Sequence, residues 1–233
     1  MNCIVCNHKL EPFFAQYEKC PHCGCVADRV IYEMSDKEWE QLNHNYHNSY
    51  QHTGANPDDP HWKARTFRQA RAITGMNNLG LIGPGQWVDY GAGDGLLSTM
   101  VSKKGLYLAN YDKYMHHADY LSDEDFNETL FPLITCTCVF EHVRERADLD
   151  CIIDALYDDG ILALHTMVVE DVPKDPNWNY YLQVHCSFYT NRSMQILFDD
   201  WGFKSSFYHV PSRMWFCFKG DVPFKEGFMD YWK

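Results

Sequence analysis

Short apolar runs separated by stretches of helical periodicity set the layout of this chain. Six runs read as strands: Gln86 to Tyr90, Gly105 to Asn110, Leu133 to Cys138, Gly160 to Val168, Lys204 to Val210 and Met214 to Lys219. Strands that alternate with helices imply an α/β fold, a doubly wound, mostly parallel sheet. The last two runs are parted only by Pro211-Ser212-Arg213 and predict an antiparallel pair at the end of the fold. Residues 34 to 82 are mostly helical. Ser35-Asp36-Lys37-Glu38 fits a capping box leading into Trp39 and Leu42. Gly54 to Pro60 is a break, and a helix resumes over His61 to Ile73. No internal repeat or low-complexity tract interrupts this order.

Composition narrows the class. At 233 residues the chain holds one ordinary globular domain of about 150 to 200 residues plus a small appendage. Apolar content of 45% supports a packed core. No uninterrupted apolar stretch approaches the roughly 20 residues that cross a bilayer, so no membrane association is expected. The formal charge of −12 argues against nucleic acid as a partner, because its phosphates would be repelled.

The richest local signal is Asp89-Tyr90-Gly91-Ala92-Gly93-Asp94-Gly95, placed between a short apolar run and Leu96 to Val101, which has helical character. This is a strand, a tight turn and a helix. Glycines let the backbone turn sharply and let a ligand approach main-chain N–H groups that a Cβ would shield. Asp112 closes the next strand, where a carboxylate can accept both hydroxyl protons of a ribose. A dinucleotide fingerprint would need glycine at position 96, which is leucine.

The chain begins with a second signal. Cys3 and Cys6, then thirteen intervening residues, then Cys20 and Cys23 make two C-x2-C knuckles that can place four thiolates around one Zn²⁺. The metal would hold together a segment too short to bury a core. His8, His22 and Cys25 are substitutes should one of the four not be a ligand. The chain opens with Met1-Asn2-Cys3 and no signal peptide precedes the cysteines, so a reducing cytoplasm is expected in place of disulfides. The other thiols, Cys136, Cys138, Cys151, Cys186 and Cys217 among them, read as plain buried side chains.

The Asp-x-Gly-x-Gly-x-Gly pattern resembles motif I of the class I S-adenosylmethionine-dependent methyltransferases, with Asp112 as the acid ending their second strand. Leu133 to Val143, with Phe140-Glu141-His142 inside it, resembles their fourth strand and the loop leaving it. Asp158-Asp159-Gly160 stands where the family usually has a Pro-Gly-Gly turn. The matches run from about Trp87 to Phe203. The resemblance implies a seven-stranded Rossmann-like sheet over residues 83–233, a helical linker or lid over 33–82 that closes over the cofactor, and a zinc ribbon-like module over 1–32. It assigns S-adenosylmethionine to Asp89, Gly91, Ala92, Gly93, Gly95 and Asp112, with Lys113 and Tyr114 flanking the ribose and Cys138, Val139 and Phe140 following the fourth strand. Asp119 or Asp123 would meet the adenine amine. Arg65, Arg68 or Arg71 would pair with the methionine carboxylate, Arg68 being the one selected; the plainer reading is a solvated helix face.

A knuckle ending in Cys20-Pro21-His22-Cys23-Gly24 and the Tyr-rich stretch Tyr46-His47-Asn48-Ser49-Tyr50 resemble bacterial methyltransferases with an N-terminal zinc ribbon, which act on sugars and other small metabolites. The sugar enzymes carry a further C-terminal domain, whereas this chain stops soon after one methyltransferase domain. The acceptor is therefore read as a small molecule, a sugar or a natural-product precursor.

An oxygen or carbon acceptor must usually lose a proton, and histidine has the fitting ordinary pKa. His142 follows the fourth strand and His185 lies in Val184-His185-Cys186-Ser187-Phe188-Tyr189-Thr190, so both are candidate bases, with Glu141 and Tyr189 as secondary candidates. The plainer reading makes each histidine a local hydrogen-bonding residue near a helix start. His165 falls within a strand pattern, and His116 and His117 read as a solvated pair. Trp178, Tyr180, Tyr181, Phe188 and Tyr189 form either an apolar lid or core. Two competing functions stay open: a cofactor-binding regulatory protein that docks a partner or second copy through its zinc module, and a protein methyltransferase.

Overall fold

A computed structural model of the chain describes residues 1–51, 59–115 and 117–222. In chain order the elements are β1 (Glu11–Phe14), β2 (Tyr17–Lys19), β3 (Val26–Asp28), α1 (Arg29–Tyr32), α2 (Asp36–Gln51), α3 (Trp62–Asn78), β4 (Val88–Tyr90), α4 (Leu96–Ser102) and β5 (Ala109–Tyr111). There follow α5 (Asp123–Glu128), β6 (Phe131–Thr137), α6 (Arg146–Asp154), β7 (Leu156–His165), β8 (Val168–Val169), β9 (Ser187–Thr190), α7 (Asn191–Asp200), β10 (Ser205–His209) and β11 (Met214–Phe218). No helix among the described residues is long and apolar enough to cross a membrane.

The chain divides into two compact units that interleave in sequence. One comprises residues 63–137, 152–165 and 202–233, and the other residues 1–62, 138–151 and 166–201. These are not the boundaries at 32 and 82 that the sequence predicts. The cysteine-rich segment does not fold alone: its third strand, β3, pairs antiparallel with β9, opposing Val26 to Phe188. A local reading of the first 32 residues cannot see a partner strand lying more than 150 residues away.

The first of these units holds the α/β sheet, with strand order β10-β11-β7-β6-β4-β5. β5, β4, β6 and β7 run parallel, and β7–β11 and β11–β10 are antiparallel, so the expected terminal pair is present. β6 lies between two neighbours, and Phe131 to Cys136 are all buried; a strand covered on both faces reads as an unbroken apolar run. Ala70, Ile73 and Met76 of α3 and Leu97 and Val101 of α4 pack in one cluster with Leu133, Ala163 and Phe216 from the sheet. The described residues form six strands here, one fewer than the seven expected. Between β5 and β6 the chain makes only α5, so β5 is the sheet edge. The turn expected at Asp158-Asp159-Gly160 is not formed: all three residues lie within β7, where a Cβ on Gly160 would come 3.0 Å from the backbone N and O of Tyr157.

The other unit is built on the sheet β1-β2-β3-β9-β8. The expected strand Gly160 to Val168 is split: β7 ends at His165, and Val168–Val169 joins this second sheet beside β9. Tyr17, Val26 and Phe188 form its core with Phe13, Phe14, Trp178, Tyr180 and Tyr181 packed against them. Most of the aromatics weighed as a lid are thus core, stacked on the cysteine segment's own rings, as in the Tyr17–Tyr181 pair at 4.3 Å. The Ser35–Glu38 capping box forms, with the Glu38 carboxylate accepting the Ser35 N–H at 2.9 Å. Of the break at Gly54 to Pro60, only Asp59 and Pro60 lie within the described residues.

Thr190 joins two parts of this unit. Its hydroxyl accepts the Ser193 N–H at 3.1 Å, capping α7, and donates to the Cys23 carbonyl at 2.6 Å. Thr190→Ala should cost about 2–4 kcal/mol in urea unfolding, the sum of a lost cap and an unsatisfied buried carbonyl. Thr190→Ser should recover most of it; equal losses in both variants would show that the methyl group, packed near Gly24, matters instead.

Candidate functional site

The glycine turn folds as its residue types demand. Gly91, Gly93 and Gly95 all have left-handed backbones, with φ of 73°, 56° and 70°. A Cβ at Gly95 would lie 2.9 Å from Asn110 Nδ2 and 3.0 Å from the Tyr120 hydroxyl. Gly91 and Ala92 donate their N–H groups to the Tyr111 carbonyl at 2.9 and 3.1 Å, which binds the turn to the end of β5. Asp112 completes the loop. Its carboxylate accepts N–H groups from Gly93 at 2.9 Å, Tyr114 at 2.9 Å and Met115 at 3.0 Å. The side chain predicted for the ribose therefore stands against the glycine turn, oriented by backbone donors.

Three residues that sequence reasoning missed support this loop. The Tyr120 hydroxyl donates to the Gly93 carbonyl at 2.8 Å; burial and the nearby Asp112 push its ionisation up. Asn110 has a buried Oδ1 with no hydrogen-bond partner among the described residues, an acceptor available to a ligand's donor. Thr135 donates to Asp89 at 2.5 Å across the β4–β6 pair. Burial pushes the Asp89 carboxyl up to about 7, against the lowering effect of that Thr135 bond and with a further upward push from Asp112. A polar threonine inside the apolar run Leu133-Ile134-Thr135 was the available signal.

The remaining predicted cofactor residues of this unit are scattered in exposure. Lys113 and Tyr114 are exposed, Arg68 is half-buried on α3, Arg65 is buried and Arg71 exposed. Asp123 accepts a hydrogen bond from Tyr111 at 3.0 Å, and Asp119 is exposed. His165 shares a 2.6 Å hydrogen bond with the Arg213 carbonyl. His117 is exposed against Tyr120, and His116 lies outside the described residues.

In the other unit, Glu141 and His142 occupy a 3-10 turn, Phe140–His142, and His185 precedes β9. One ligand atom from each of Glu141, His142 and His185 lies within 4.8 Å of the others. Glu141 is buried and accepts the Thr166 hydroxyl at 2.9 Å. His185 Nδ1 lies 2.9 Å from the Tyr180 carbonyl, so it carries the proton and leaves Nε2 bare. Burial lowers the His185 pKa to about 4, and lowers His142 well below its ordinary value with help from His185 and His47. Both imidazoles are neutral at physiological pH, and a group titrating near 4 is a poor match for a general base poised near 7.

Two secondary candidates take other roles. Tyr189 is buried and donates its hydroxyl to the Phe140 carbonyl at 3.0 Å, which commits it to packing instead of proton transfer. The Phe140 ring is fully buried against Tyr189 and Trp201, leaving its side chain no surface for a ligand. Cys138 and Val139 are half-buried, and Cys138 has φ of 58°, a left-handed backbone unusual for a side-chain-bearing residue and missed from sequence.

The four predicted cysteines converge. Their sulfurs lie within 4.8 Å of one another, with Cys3–Cys23 at 3.5 Å and Cys6–Cys20 at 3.4 Å. Zinc–sulfur bonds of about 2.3 Å in a tetrahedron put sulfurs roughly 3.8 Å apart, a few tenths of an ångström more than these two pairs. The two knuckles repeat one geometry. Cys3 and Cys20 donate their N–H groups to His8 and Cys25 carbonyls, both at 2.8 Å. Asn7 and Gly24 then turn left-handed and donate back to Cys3 and Cys20 at 2.9 and 3.0 Å. Hydrogen bonds from Cys23 and Cys25 lower the Cys3 thiol to about 2, while burial raises Cys6 to about 11 and the bond to Cys3 drives Cys23 well up. His8 and His22 stack at 4.2 Å and lie within the same reach of Cys6. Cys25 stays outside the ligand set, and of the thiols expected to be buried, Cys151 is exposed at the surface of α6.

Residues 64–205 match the family described as methyltransferase domain. Comparison with curated protein sequences gives no match. Among solved structures, the chain is similar to the magnesium protoporphyrin IX methyltransferase of Synechocystis PCC 6803 with bound S-adenosylhomocysteine, at 13% identity and a TM-score of 0.46, covering 82% of this chain and 92% of that one. It is also similar to the plantazolicin methyltransferase in complex with a desmethyl analogue and S-adenosylhomocysteine, at 12% identity and a TM-score of 0.44, covering 84% and 81%. At these values no residue's role passes from those proteins to this one.

Asp89 sets a pH dependence. Its folded pKa of about 7 exceeds the ordinary carboxylate value, so the proton is held more tightly in the folded chain. The stability this contributes is full below about pH 4 and is lost as pH rises through 7. Asp89→Asn keeps the neutral form at all pH values. Between pH 4 and 8 its unfolding free energy should gain on the wild type by an amount on the order of a few kcal/mol; parallel curves across that range would place the Asp89 pKa elsewhere.

Proposed function

The chain belongs to the methyltransferase-domain family and is an S-adenosylmethionine-dependent methyltransferase; from that premise we propose that it methylates a small-molecule acceptor and carries a structural zinc ion on Cys3, Cys6, Cys20 and Cys23. The observation that carries the cofactor assignment is the closure of the glycine turn on Asp112. Left-handed glycines keep side chains out of the cradle, and the Asp112 carboxylate has lone pairs left to accept ribose hydroxyls beside its backbone donors. The unpartnered Asn110 Oδ1 offers a second acceptor. Arg68, on the helix preceding the turn, supplies the cation for the methionine carboxylate. Lys113 and Tyr114 flank the ribose. Bound there, S-adenosylmethionine supplies a methyl group already activated by its sulfonium.

The small-molecule reading is supported by charge and by what the chain offers a partner. A net charge of −12 repels phosphate backbones. Four cysteines gathered as a metal site support action in the reducing cytoplasm. The zinc reading is supported by the paired knuckles and the gathering of their four sulfurs within 4.8 Å. The knuckle strands pair with β9, so the ion's role is to hold that sheet.

Asp112→Asn should weaken S-adenosylmethionine binding by at least tenfold in calorimetry, through loss of charge-assisted bonds, while circular dichroism stays unchanged. Unaltered affinity would remove Asp112 from the ribose. Elemental analysis should find zinc, one equivalent of which Cys6→Ser loses. A strong chelator should reduce hydrogen-exchange protection in β1 to β3 and β9 more than in β4, β6 and β7; protection falling equally across both sheets would count against a structural ion.

A further inference from the structure

The carboxylate and two imidazoles of Glu141, His142 and His185 are arranged differently from a set of proton-transfer groups. Each is oriented by a different neighbour. The Thr166 hydroxyl donates to one Glu141 oxygen at 2.9 Å. The Tyr180 carbonyl takes the Nδ1 proton of His185 at 2.9 Å, leaving the Nε2 lone pair. His142 has the Val184 backbone as a hydrogen-bond partner, while its Nδ1 is buried with no partner among the described residues. The bonded nitrogen is therefore Nε2, and Nδ1 keeps its lone pair. A buried, unpartnered nitrogen beside a second imidazole is unfavourable unless something accepts the lone pair.

Two imidazoles and one carboxylate, gathered within 4.8 Å and supported by outer hydrogen bonds, are the donor set that divalent transition metals take. We propose that Glu141, His142 and His185 bind a divalent first-row transition metal ion through one carboxylate oxygen, His142 Nδ1 and His185 Nε2, separately from the four-cysteine site. The ring of His47 on α2 lies 5.1 Å from that of His142 and bounds the site on that side. Two imidazole nitrogens select against calcium and magnesium, which take oxygen ligands, and a donor set without sulfur sets the site apart from the cysteine knuckles.

Three protein ligands leave positions open. Those positions take water or an oxygen of a small molecule bearing a hydroxyl or carboxylate, and a metal-held hydroxyl loses its proton far more readily than a free one.

The test uses the full chain, loaded with zinc at its cysteines and titrated with Co²⁺ alone, by equilibrium dialysis and visible absorption. The wild type should take up one Co²⁺ per chain with weak ligand-field bands and no intense sulfur-to-cobalt charge transfer. Glu141→Gln and His185→Ala should each weaken uptake at least tenfold, whereas Cys6→Ser and His8→Ala should retain the nitrogen–oxygen spectrum. Glu141→Gln is nearly isosteric, so its loss of uptake with an unchanged unfolding transition separates ligation from misfolding. No cobalt uptake by the wild type, a sulfur charge-transfer band as the only signal, or undiminished uptake in both ligand variants would overturn the proposal. Cobalt binding needs no cofactor, and calorimetry with S-adenosylmethionine on the same sample reports the methyltransferase reading independently.

Discussion

The backbone of Cys186 is the tie on which one whole unit depends. Its carbonyl accepts the Asp28 N–H at 2.9 Å, where the cysteine-rich segment ends, and its N–H donates to the Glu141 carbonyl at 2.8 Å. Three pieces of chain far apart in sequence meet at this one residue. His185 precedes it, the β9 strand follows it, and Glu141 with His142 is set by the other bond. Arg144 and Arg146 reinforce the meeting: Arg144 donates to the Met34 carbonyl at 2.8 Å and Arg146 to the Val5 carbonyl at 2.8 Å, inside the first knuckle. Buried backbone groups must be paired, and these bonds tie the turn that bears Glu141 and His142 and the end of the cysteine segment to the same strand.

Locally encoded features were legible in the sequence, and those made by distant pairing were not. The glycine turn, the order of β4 to β7 and the antiparallel β10–β11 pair follow from residue types within a few positions of each other. So do the two knuckles, since a C-x2-C loop carries its own turn geometry. The allocation of Ser187–Thr190 to a sheet shared with Val26–Asp28 could not be read, because short apolar strands do not name their partners. The same holds for Asp89, whose buried carboxyl depends on Thr135 of a neighbouring strand. His142 and His185 were singled out by position, but the feature that separates ligation from proton transfer is which ring nitrogen is already bonded. That depends on the Tyr180 and Val184 backbone.

The second unit brings together two donor sets of different character. Four sulfurs suit a closed, soft, structural site, whereas two nitrogens and an oxygen suit an open one. Their separation by ligand type means that one ion's chemistry need not interfere with the other's. Tyr17, Tyr181 and Phe188 pack in this unit's core, so the aromatic residues that might have caged an acceptor serve instead to hold these loops in register.

The pairing of β3 with β9 also bears on how such a protein could have arisen. A metal ribbon appended to a catalytic domain can be gained, lost or exchanged as a cassette when its edges are its own. Here the cysteine segment's last strand completes its sheet with residues that follow β7 in the sequence, and the cap of α7 holds the Cys23 carbonyl. Recombination at either end would leave an unpaired strand edge and an orphan carbonyl. The two stretches are therefore bound to a shared history, and changes in one should be matched by changes in the other across any lineage that keeps this sheet.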